Sequence, residues 1–220
     1  VIGTYGEAES KPVLEYIVDD NSATDIWEHI ATPVIQLKDC HGIELDGLAI
    51  SGTNGVDVGI HLKYKNTLNH EYVKIKNCDF KDLTGFTIND YRGLSERAAG
   101  KNITGEYCMA TGICVSVNNY NIGVNDPGLI GLYIEGCTST NCGTLLANAG
   151  NIQDTNEGDS PLVSGLYISD CKMQNNDYYG AYIGSVQNGY MTDCVIDSCG
   201  DAKDFTPGTA GILVSAKNFD

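Results

Sequence analysis

The sequence predicts an all-β solenoid, with short strands wound into stacked coils. Two repeating units carry that prediction. The first reads apolar-x-apolar, two turn residues, then Cys, and it occurs at Val73–Cys78, Leu132–Cys137, Leu166–Cys171 and Gly189–Cys194. Ile43–Leu48 is the same unit with Leu in the Cys place. The second unit is led by glycine: Gly59-Ile-His-Leu62, Gly85-Phe-Thr-Ile88, Gly112-Ile-Cys-Val115, Gly180-Ala-Tyr-Ile183 and Gly211-Ile-Leu-Val214. Short strands that return every two to four dozen residues, roughly, mark coils that each bury an apolar face on the next. A composition with 26 Gly and 5 Pro suits the many tight bends such coils need.

Taken in order, the opening 40 residues are the least regular. Pro12–Ile17 and Pro33–Leu37 read as strands, while Asp19–Thr32, with Trp27, reads as a loop or short helix. From Ile43 onward each coil has room for three strands. In the clearest coil, Val73–Ile75 is a first strand, Lys76-Asn77 a bend and Cys78–Phe80 a second strand. Lys81–Gly85 is then a turn and Phe86–Ile88 a third strand. Alternation along a strand turns Lys74 and Thr87 outward. Asn77 suits a bend that needs left-handed backbone, and Gly47, Gly136, Asp170 and Asp193 stand in the same place. Long polar segments join the third strand to the next coil: Tyr64–His70, Asp90–Gly100, Asn118–Gly128 and Asn148–Pro161. Insertions gathered on one flank of a repeat protein mark its binding side. Seven to eight coils at strand spacing give a rod about 35 Å long. The expectation is one domain over residues 1–220, incomplete at both ends, because an apolar strand runs almost to Phe219 without the polar cap a solenoid needs.

Nine cysteines first suggest disulfides. The repeat assigns them otherwise. Cys78, Cys137, Cys171 and Cys194 hold one place in successive coils, and Leu48 holds it too, so the place is an interior packing position. Cys142 and Cys199 fall five residues after ladder cysteines and form a second short ladder, with Leu83 in the matching position. The expectation is mostly reduced, buried thiols and no metal, since no C-x-x-C pair occurs.

A net charge of −16 repels nucleic acid and anionic membrane surfaces. No apolar run is long enough for a membrane helix. The acidity fits an extracellular surface, secreted or at the cell surface, whose acids could bind Ca²⁺ or line a sugar cleft.

Three strands per coil, the near-fixed Asn-type bend, the interior ladders and the Gly-led third strand together resemble the right-handed parallel β-helix of the pectate-lyase-like superfamily. Gly3-Thr-Tyr-Gly6-Glu-Ala-Glu-Ser-Lys11-Pro12-Val13 is similar to the Y-G-x-G-x-K-P-[IV] stretch of secreted β-helix enzymes acting on polysaccharides, with Ala8 in place of one glycine and one residue inserted. The resemblance implies an all-β right-handed single-stranded parallel β-helix and a polysaccharide or oligosaccharide partner. It also implies a substrate lying on one sheet's outer face between variable loops. Function still lives in the site rather than the fold.

The Gly-led strand is the face that the long segments border. Its outward positions are His61, Lys63, Thr87, Asn89, Cys114, Ser116, Tyr182, Leu213 and Ser215, with Asn118 just beyond Ser116 and Asp57, Asp90 and Asp177 at strand ends. His61, Asn89, Ser116, Asn118 and Tyr182 are the candidate substrate-binding residues, offering hydrogen bonds to sugar hydroxyls and an aromatic face. Hydrolysis needs two carboxylates, about 5–5.5 Å apart for retention or about 6.5–9.5 Å for inversion. Asp57 and Asp90 are the candidate pair, with His61 or Lys63 tuning them. Elimination would instead use a cation beside a uronate, where Lys63 and Arg92 are the candidates and Ca²⁺ the implied ion. The polygalacturonase motifs N-T-D, G-H-G and R-I-K are absent, D-D occurs only at Asp19-Asp20, and the R-x-P-x-x-R of pectate lyases is absent. Glycoside hydrolysis of plant or host glycans is therefore the first expectation, Ca-dependent elimination the second, and a non-catalytic adhesin, stalk or phage-tail segment the rival from another class.

Overall fold

The computed structural model describes residues 1–3, 10–17, 33–53, 58–64, 70–83, 111–117, 128–149, 163–201 and 210–220. These residues form a right-handed parallel β-helix with no helix among them and only parallel strand pairs. Each coil contributes one strand to each of three stacks. The first stack holds β1 (Ile2–Gly3), β4 (Ile43–Asp46), β7 (His70–Lys76), β10 (Leu129–Glu135), β13 (Val163–Ser169) and the second half of β15 (Tyr179–Thr192). The second stack holds β2 (Val13–Ile17), β5 (Ala49–Thr53), β8 (Asp79–Lys81), β11 (Thr138–Thr140), β14 (Lys172–Gln174) and β16 (Val195–Asp197). The third holds β3 (Pro33–Lys38), β6 (Val58–Tyr64), β9 (Thr111–Val117), β12 (Thr144–Ala149), the first half of β15, and β17 (Ala210–Phe219).

Left-handed backbone makes the corners. Gly47, Asn77, Gly136, Asp170 and Asp193, the bend positions predicted from sequence, have φ of 68°, 52°, 60°, 53° and 53°. A second column, Asp82, Asn141, Asn175 and Ser198, turns the second stack into the third with φ of 52–54°. A third column lies where the third stack feeds the first: Tyr72, Gly131, Gly165, Asn188 and Asn218, with φ from 51° to 82°. Asn and Asp tolerate this conformation because their short polar side chains bond locally. Here those bonds run from coil to coil: Asn77 Nδ2 donates to Asp46 Oδ1 at 3.0 Å, Asn141 Nδ2 to Asp82 Oδ1 at 3.1 Å, and Asn218 Nδ2 to Asn188 Oδ1 at 3.1 Å.

Register converts the sequence pattern into continuous interior ladders. Leu45, Ile75, Ile134, Ile168 and Met191 stack on one another, as do Val73, Leu132 and Leu166. Ile60, Ile113, Leu146 and Ala181 face them from the third stack, and Ile50, Phe80, Met173 and Ile196 from the second. Each fully buried Leu, Ile or Val contributes about 1.5–3 kcal/mol by leaving water. Cys78, Cys137 and Cys171 line the same core as reduced thiols, and Cys194 and Cys199 sit at its half-buried end. Hydrogen bonding with Cys171 and Cys78, together with burial, holds the Cys137 thiol well above its usual range, while burial pushes Cys142 up to about 12. Seven described cysteines are free, but Cys114 is disulfide-bonded, so the expectation of packing thiols holds for the ladders and not for that position.

Two strands differ from the sequence reading. β6 pairs directly with β9, His61 against Cys114 and Lys63 against Ser116. Phe86–Ile88 lies outside the described residues, as does 18–32 with Trp27. β12 is a rung that neither repeating unit marks. β15 is one strand of 14 residues crossing a corner where the other coils carry a connecting segment, with its register slipping between Gly184 and Val186.

Candidate functional site

The row nominated from sequence is the outer face of the third stack. Gln36, His61, Cys114, Ala147, Tyr182 and Leu213 follow one another there, rung by rung. Its middle is covered: His61 is 4% exposed, Tyr182 7% and Cys114 0%, and Lys63 is half-buried, whereas Gln36 at one end is exposed and Leu213 at the other is half-buried. Burial, with the Lys63 charge adding to it, lowers the His61 pKa to about 4, so its imidazole is neutral at ordinary pH. Burial and the neighbouring Tyr179 push the Tyr182 phenol up to about 12. His61 and Tyr182 stand three rungs apart, roughly 14 Å at strand spacing, so they do not act on one group. Ser116 lies on β9 between Lys63 and Ala149, its backbone alone being described. Asp57, Asn89, Asp90, Arg92 and Asn118 lie outside the described residues.

An open groove occurs one corner further on. Its floor is the left-handed column that feeds the first stack, and its walls are the aromatic row on that stack's outer face. Tyr133 and Tyr167 are neighbours in register, stacked at 4.8 Å and 26°. Tyr167 meets Tyr190 at 5.2 Å, and Tyr72 meets Tyr133 at 5.6 Å. Four phenols thus span four coils. Tyr72, Tyr133 and Tyr167 enclose about 310 Å³ with Glu71, Ser164 and Asn188. Gly131 and Gly165 are needed beneath them: at φ of 78° and 82°, a Cβ on either would press within 3.2–3.3 Å of the tyrosine ring two residues later. The rings therefore fold over bare backbone. Tyr72 takes the same left-handed conformation at φ 61° and is 42% exposed. Strained backbone on a bulky exposed residue is a feature that concentrates at binding sites. In the chain, residues 65–69, 118–127 and 150–162 precede β7, β10 and β13, the strands that carry the groove.

A second depression, of about 520 Å³, lies at the corner from the second to the third stack, with Asn175, Asp177, Ser198 and Asp201 among its lining. Burial, and then the charge of Asp201, raises the Asp177 pKa above the usual carboxylate range. Asn176 beneath is fully buried, donating to Ser139 Oγ at 2.7 Å and accepting from the Cys142 amide at 3.2 Å. It occupies the second ladder between Cys142 and Cys199. Among the described residues no group of three or more His, Cys, Asp or Glu could hold a metal ion, and no helix is long and apolar enough to cross a membrane.

The tyrosine row escaped the sequence reading, although its signal was present. Gly131-Leu-Tyr133, Gly165-Leu-Tyr167 and Asn188-Gly-Tyr190 place Tyr at the outward position of the first strand in three successive coils. Compared with known proteins, the chain matches no family model, no curated protein and no solved structure.

Proposed function

We propose that this chain is the glycan-holding β-helix of a secreted, polysaccharide-degrading protein of the pectate-lyase-like superfamily, with the saccharide seated in the tyrosine groove of the first stack. The observation that carries this reading is the row of Tyr72, Tyr133, Tyr167 and Tyr190 along the rod, beside hydroxyl and amide groups at Ser164 and Asn188. Phenols with an apolar body and a polar tip suit sugars, which have apolar ring faces and hydroxyl edges. A groove above 300 Å³ is within the range of ligand sites. The test is retention of the full chain on immobilised polysaccharides. Tyr167→Ala and Tyr133→Ala are each expected to weaken retention at least about fivefold, or ~1 kcal/mol. Unchanged retention in both variants would remove the groove from consideration.

Glycoside hydrolysis is the reaction we attach to the second depression, a site separate from the tyrosine groove, and Asp177 beside Asp201 there is the observation that favours it. A carboxyl raised above its usual range suits a general acid. Asp177, raised by burial and by the charge of Asp201, fits that role, with Asp201 as the second carboxylate lining the depression. Asp57 and Asp90 stay candidates for the same chemistry. Reducing-end release by the full chain, abolished by Asp177→Asn or by Asp57→Asn with Asp90→Asn, distinguishes these pairs. An unsaturated product would assign elimination instead.

A further inference from the structure

We infer that the groove accepts an uncharged polysaccharide and rejects uronic-acid chains. This deepens the proposed glycan-holding role and rests on it. The charges at the groove decide the matter. Glu71 is exposed and lines the groove at one end. The outward rows beside the tyrosines carry Glu44, Asp46 and Glu135 against Lys74 and Lys76. Both ammonium groups are engaged: Lys74 Nζ bonds Glu135 at 2.5 Å, and Lys76 bonds Glu44 and lies 3.4 Å from Asp46. The hydrogen bond Lys74 donates to Glu135 raises the Lys74 pKa, and the one Lys76 donates to Glu44 raises the Lys76 pKa, so the lysines stay charged and paired. Four carboxylates therefore face two ammonium groups, and both of those are already occupied.

The sequence that precedes these rungs in the chain carries the same sign. Segments 118–127 and 150–160, which lead into the rungs of Tyr133 and Tyr167, carry Asp126, Asp154, Glu157 and Asp159 and contain neither Lys nor Arg. Lys65 precedes the Tyr72 rung, and Lys217 stands in the Glu71 row four rungs away. A uronate on every sugar would meet like charge along the row, and like-charge contacts select against a partner. Neutral hydroxyls meet phenols, a serine hydroxyl and an amide, which both donate and accept.

The experiment is calorimetry and affinity electrophoresis of the full chain with soluble neutral polysaccharides (xyloglucan, galactomannan, mixed-linkage glucan) and with polygalacturonate and alginate, each in EDTA and in Ca²⁺. At least one neutral polysaccharide is expected to bind, with the uronates at least about tenfold weaker (~1.4 kcal/mol) in both buffers. Tyr167→Ala is expected to weaken the neutral complex, and Glu71→Gln to narrow the gap to the uronates. Polygalacturonate or alginate held as tightly as the best neutral polysaccharide, in either buffer, overturns the inference while leaving the groove in place. Binding of neither class overturns the glycan-holding role and the inference with it.

Discussion

At the scale of single residues, burial rather than catalysis explains His61. Its imidazole is held neutral with a pKa near 4, against 6.5 in an unfolded chain. Between those values the unfolded state binds the extra proton, so stability is full above pH 6.5 and falls as pH drops towards 4. The loss should approach 3 kcal/mol, from about 1.4 kcal/mol per pH unit. Urea unfolding at pH 7 and pH 5 is expected to show that decline in the native protein, and a much flatter dependence in His61→Gln. Equal slopes would mean that the imidazole is solvated. His61 also shows why the site was only partly legible. Alternation along Gly59–Leu62 turns it outward, and outward it is, but at that rung the outer face is itself covered. Strand periodicity reports which face a side chain takes, not whether that face is open. Asn176 is the converse case: it stands five residues after Cys171, where Cys142 and Cys199 stand after theirs, and spacing alone made it interior.

At the scale of the strand and its bend, the sequence was most informative. The unit apolar-x-apolar-turn-turn-Cys corresponds to a first strand, a left-handed corner and an interior thiol in coil after coil, because one-dimensional stacking repeats one local environment. The strands that were missed lack that local signature. β12 is identified by pairing with β9 and β15, a non-local fact. β15 runs through a corner because Tyr179–Thr192 has no intervening polar segment to turn it. The thiol ladder gives a direct check. Among the described residues seven cysteines are free and Cys114 is disulfide-bonded, so denatured protein is expected to titrate at least seven thiols without reductant and all nine with it. In native protein at pH 8, Cys78, Cys137, Cys142 and Cys171 are expected to resist thiol reagents, because they are buried and the thiolate is the reactive form. Rapid native modification of all seven would contradict the interior assignment.

For the whole molecule, a net charge of −16 on stacked coils works against compactness. Raising ionic strength from 10 to 200 mM shortens the screening length to below about 10 Å. The thermal midpoint is therefore expected to rise with NaCl by a few degrees, at roughly 2–4 °C per kcal/mol for a chain of this size. A midpoint that falls with salt would show that cross-coil pairs such as Lys76–Glu44 and Lys11–Asp79 outweigh the general repulsion.

The parallel stacks also set how the rod bears load. Backbone hydrogen bonds between neighbouring strands run along the rod axis, while the strands lie across it. A tensile force on the axis meets the bonds of one rung at a time, so the rod peels coil by coil at low force. A force along a strand must shear a whole rung at once, and the unbroken 14 residues of β15, paired on both sides, make that rung the stiffest beam among the described strands.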